Sequence, residues 1–92
     1  MENKPRFPSN SKYQLHAPEA FTDKILVIEK HLFDELLEKN KLAYEQDYDS
    51  RWTVNVGDII GVRSAPSTLY VRVTKRQVKG SRENIEIELL GD

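Results

Sequence analysis

Leu69, Val71 and Val73 alternate with Tyr70, Arg72 and Thr74, and the same beat of two returns in Ile85, Ile87 and Leu89 against Asn84, Glu86 and Glu88. Successive strand side chains leave on opposite faces, so each run predicts a strand with one buried and one wet face. Lys75, Arg76 and Gln77 interrupt the beat before Val78, which predicts a bulge or a strand end. Lys79-Gly-Ser-Arg82 predicts the turn between the two strands, and Ser64-Ala-Pro-Ser67 another, stiffened by Pro66.

Upstream, Trp52-Thr-Val-Asn-Val-Gly57-Asp58-Ile-Ile-Gly61-Val-Arg63 reads as strand, tight turn, strand. Gly57 can take positive φ without a steric penalty, and the short carboxylate of Asp58 can accept from nearby backbone N–H groups. The branched residues after it suit a buried strand. The period then changes: Leu32, Phe33, Leu36 and Leu37 form one stripe of a helix, with Asp34, Glu35, Glu38 and Lys39 on the other side. This predicts a helix over 30–39, stopped by a left-handed Asn40. Ile25-Leu-Val-Ile28 predicts a short strand buried on both faces, and Leu42–Gln46 a further strand. Residues 1–20 hold the prolines at 5, 8 and 18 and read as an irregular arm, with Tyr13 and Leu15 as a possible edge strand, ahead of a single domain over 21–92. The expected fold class is α+β: about five mostly antiparallel strands in a small barrel with one main helix.

A 92-residue chain holds one domain and one modest core. The absence of cysteine excludes disulfides and thiolate metal sites. His16 and His31 lie far apart with no third ligand, so no metal and no cofactor is expected. No run approaches the roughly 18 apolar residues of a membrane span, and the opening residues lack the apolar core of a secretory signal, so a cytoplasmic location is expected. Net charge is −1, yet Arg51–Arg82 carries seven bases against the single acid Asp58, while His16–Ser50 carries nine acids against four bases. The chain is therefore bipolar, with a basic sheet region and an acidic helical side.

The order of elements resembles the ASCH domain, a member of the PUA-like β-barrel superfamily, over roughly Lys24 to Val78. The resemblance rests on the helix His31-Leu-Phe-Asp-Glu-Leu-Leu37, the turn Lys39-Asn-Lys-Leu42, Val56-Gly-Asp-Ile-Ile60 and Leu69-Tyr-Val-Arg-Val-Thr74. It implies a PUA-like barrel and puts Lys41 at the family's lysine position. Some ASCH proteins are amidohydrolases of acylated cytidines that use the lysine, a threonine and a later glutamate; others are regarded as RNA-binding. Here the family's glycine is Lys39, its threonine is Leu42 and its arginine is Gln46. The resemblance therefore argues for the barrel and against the enzyme, leaving Lys41 as a weak catalytic candidate, with Glu45 as an acid–base partner.

The leading expectation is a non-enzymatic module that binds RNA or another nucleic acid through Arg63, Arg72, Lys75, Arg76, Lys79 and Arg82, with Tyr70 or Trp52 as a stacking platform. The competing account has Arg72 and Arg76 point outward beside Glu86 and Glu88, where cross-strand pairs absorb the charge. Trp52 serves the core or its rim equally well. A second expectation is a small regulator or inhibitor that grips a protein partner through Glu45, Asp47, Tyr48 and Asp49.

Overall fold

The computed structural model describes residues 17–90. Tyr13, Leu15, His16 and most of the arm assigned to 1–20 lie outside them. Five strands and one helix follow in the order β1 (Phe21–Val27), α1 (Lys30–Lys39), β2 (Lys41–Asp47), β3 (Ile59–Ser64), β4 (Ser67–Lys79) and β5 (Arg82–Leu89). They form a single sheet of order β1-β3-β4-β5-β2 in which only β1 and β3 run parallel. The α+β class and the strand count are as the sequence predicts. β1 and β2 occupy the two edges, and no ladder between them closes the sheet among the described residues.

The helix forms where its stripe falls. Phe33 and Leu36 are buried, Leu32 and Leu37 pack beside them, and the rod lies against β2, β3 and β5. Asn40 ends it in the left-handed region at φ 65°, its N–H donating to Leu36 O at 2.8 Å. Lys30–Asp34 and Glu35–Lys39 pair one turn apart on the solvent side, each adding a few tenths of a kcal/mol. Facing the helix, one side of the sheet contributes Ile60, Val62, Leu69, Val71, Val73, Ile85 and Ile87, and Val54 joins them from the loop before β3.

Gly57 and Asp58 make the predicted turn. Gly57 sits at φ 98° and donates to Val73 O at 2.7 Å; Val73 N donates to Asp58 O at 2.9 Å, and Asn55 N donates to Asp58 Oδ2 at 2.9 Å. The turn is clipped to β4 at Val73, just where that strand bulges between Val73 and Lys75.

Two local expectations are corrected. Trp52–Asn55 is irregular chain, not a strand. Its backbone follows the loop over the sheet end, with Val54 buried and Trp52 packed on the core. The Ile25–Ile28 run is buried on one face only: Leu26 and Ile28 enter the core, whereas Ile25 and Val27 are 41% and 67% exposed. The reason is position, since an edge strand beside β3 has no second layer over its outer face.

Candidate nucleic-acid interface

Strand alternation decides which candidate side chains share a surface. Ile60 and Val62 of β3 and Leu69, Val71 and Val73 of β4 point inward, so Ile59, Gly61 and Arg63 with Thr68, Tyr70 and Arg72 point outward. Register pairs Gly61 with Tyr70 and Arg63 with Thr68, and Arg63 Nη1 donates to Thr68 Oγ1 at 3.3 Å. Past the bulge, Lys75, Gln77 and Lys79 oppose Glu86, Asn84 and Arg82, and so remain on this outer face. Tyr70 to Lys79 covers about 30 Å of strand at roughly 3.3 Å per residue.

Tyr70 is half-buried and meets the ring of Phe21 edge to face, with centroids 5.1 Å apart and planes at 75°. Phe21 and Ile25 lie over Gly61, where an added Cβ would sit 3.5 Å from Ile25 Cγ1 and 3.7 Å from Phe21 Cε1. The glycine leaves room for an apolar and aromatic floor between Arg63 and Arg72. The contribution of Phe21 had no signal in the sequence, because only the parallel register of β1 on β3 brings it to Tyr70.

Arg63, Arg72 and Lys79 have no carboxylate within 4.0 Å among the described residues, although Arg72 is in register with Glu88. Lys75 reaches Glu86 at 3.9 Å, a loose exposed pair worth little. Arg82 is occupied: its Nη1 donates to Asp47 at 2.6 Å and its Nε to Glu45 at 3.1 Å. Those two bonds, the Asp47 one foremost, raise the guanidinium above its ordinary pKa.

Arg76 faces the other way. The bulge adds a residue to β4, so Arg76 comes into register with inward Ile85, and its Nε donates to Glu83 Oε2 at 2.6 Å. Glu83 is 1% exposed, and its Oε1 is buried without a hydrogen-bond partner. The structure thus brings together Arg63, Tyr70, Arg72, Lys75 and Lys79, places Arg82 beside acids at the hairpin end, and sends Arg76 to the opposite face. The expectation that Arg76 points outward beside Glu86 and Glu88 is corrected, and Glu83 had not been singled out.

The outer face is divided. Its β3–β4 half is basic, while its β5–β2 half carries Glu86, Glu88, Glu45 and Asp47. A polyanion on this face is drawn to one half and repelled by the other. Lys41 opens β2 in a groove with Glu35, Lys39, Thr74, Glu86 and Glu88. Glu45 lies about 13 Å further along the strand, at about 3.3 Å per residue, with Arg82 on its carboxylate. Lys41 and Glu45 therefore do not form the acid–base pair weighed from the sequence. Trp52 lines a cleft against β1, away from the basic half.

In the acidic loop, Asp49 accepts from Arg51 N at 2.9 Å and Nε at 3.3 Å. The backbone bond first, and the guanidinium second, hold its carboxyl below the usual 3.8. A depressed carboxylate pKa gives stability that is whole above the unfolded value and fades as pH falls through the folded one. The loop is therefore expected to keep its clip at neutral pH and to loosen only in acid. An NMR titration should show the Arg51 amide moving together with the Asp49 carboxyl carbon, below pH 3.8. An Arg51 shift centred near neutrality would contradict it.

No family model and no curated protein matches the chain.

Proposed function

We propose that this chain is a nucleic-acid-binding module of PUA-like kinship, with RNA as the first ligand to test, and that the basic half of the outer sheet face is its contact surface. One observation carries the reading: three cations free of acidic neighbours, Arg63, Arg72 and Lys79, share a face with Tyr70 and its Phe21-backed floor. Cations at strand spacing suit a phosphate backbone, and an aromatic between them offers a base a stacking surface. A flat sheet suits unpaired bases better than a duplex, whose bases are already stacked. The acidic half beside it sets one boundary of the track.

The test is fluorescence anisotropy with a labelled single-stranded RNA, a single-stranded DNA and a duplex of each, over about 50 to 200 mM salt. Saturable binding that favours single strands and weakens with salt is expected. Undetectable binding to all probes at the lowest salt would remove the proposal.

A further inference from the structure

β1 is paired on one side only. Ile28 N donates to Arg63 O at 2.9 Å, so Leu26 and Ile28 direct their backbone groups at β3. By alternation, the N–H and C=O of Ile25 and Val27 turn to the open edge. The side chains of these same two residues are exposed. Unpaired backbone beneath exposed branched side chains is a template for another strand.

This edge does not face open solvent. Across it stands the segment 46–52, and the cleft between them, about 690 Å³, is lined by Ile25, Leu26 and Val27 on one wall and by Asp47, Tyr48, Asp49 and Trp52 on the other, with Gln46 and Arg51. The carboxylates outnumber the cation on that wall, and the Asp47 side chain is 87% exposed. Two aromatics stand beside the carboxylates, a setting that favours a Lys or Arg side chain.

We infer that the seam between β1 and 46–52 takes an extended peptide of a partner protein as an added strand, with apolar residues over Ile25 and Val27 and a basic residue at Asp47 and Asp49. Main-chain bonds to Ile25 and Val27 supply affinity, and the acidic wall supplies the choice of partner. A phosphate backbone fits poorly, since it would meet Asp47 and Asp49. A second copy fits poorly too. Asp23, at φ 67°, kinks β1 and leaves only a short regular edge to pair. A two-fold axis there would also bring two acidic loops near each other. The inference is separate from the nucleic-acid reading and uses a different surface.

The full chain, labelled with nitrogen-15, is titrated with three capped peptides: Val-Lys-Val-Lys-Val-Lys, the same with Glu for Lys, and the Lys peptide with N-methylated valines. The Lys peptide should saturate and shift amides at Ile25–Val27 and Asp47–Trp52. The Glu and N-methylated peptides should bind at least tenfold more weakly. The Asp47→Lys/Asp49→Lys variant should reverse the charge preference, a result that misfolding cannot produce. Four outcomes overturn the inference: no saturable binding, equal binding of Lys and Glu peptides, shifts confined to other surfaces, or an N-methylated peptide that binds as well as its parent. Concentration-dependent shifts at Ile25–Val27 without peptide, shifts there with RNA, or contacts there from residues 1–16 of the same chain would give the seam to another occupant and overturn it too.

Discussion

Arg76→Ala should destabilise the fold by about 3 kcal/mol, the low end of the range for breaking a buried ion pair, because its own side chain is 24% exposed. The cost arises at the partner. Glu83 has no exposed side-chain surface, so removing Arg76 leaves a carboxylate in the core with neither water nor countercharge. For a domain of this size the loss should lower the melting midpoint by at least about 10 °C. The double variant Arg76→Met/Glu83→Leu should recover to within about 1 kcal/mol of the parent, or exceed it, since desolvating two charges often costs as much as their attraction returns. The unpartnered Oε1 of Glu83 points the same way, as the pair is not fully hydrogen-bonded. Thermal unfolding of the parent, both single variants and the double completes the cycle. A harmless Arg76→Ala would show that Glu83 is not held by it.

The second large effect concerns binding and separates two kinds of contact. The triple variant Arg63→Ala/Arg72→Ala/Lys79→Ala removes three cations without acidic partners among the described residues. On a single strand each neutralised phosphate contributes about 0.7 to the slope of log affinity against log salt, so the slope should fall by about 2. Tyr70→Ala should instead cost about 1–3 kcal/mol at every salt concentration with the slope unchanged, because stacking releases no counterions. All three cations are exposed and outward, so the folded state should survive their removal. Anisotropy titrations at several salt concentrations read both quantities. A triple variant that keeps the parent slope would move the contact surface off this face.

Much of the architecture is written in periods. The stripe Leu32, Phe33, Leu36 and Leu37 meets the core as its spacing requires, and Asn40 stops the helix by a conformation that its short side chain tolerates. The alternation in β4 and β5 gives both faces, and the break at Lys75–Gln77 marks a real bulge. That bulge is also where reading by period fails. One added residue reverses the sense of everything after it, which carries Arg76 inward. Glu83 was legible, since it falls two residues before Ile85 on the inward beat. Its charge conceals the position, because a carboxylate is seldom buried without a partner. The outer floor was not legible. Phe21 and Tyr70 are far apart in sequence, and nothing local announces the parallel pairing that joins them.

The layout of the sheet has a consequence for how the molecule assembles. β3, β4 and β5 are joined by tight turns and neighbour one another, so their pairing closes only short loops. β1 and β2 follow each other along the chain, yet dock at opposite margins of that meander, with the helix reaching from one to the other. A central three-stranded nucleus should therefore form early, and the two margins should be added later, each able to detach while the centre stays intact.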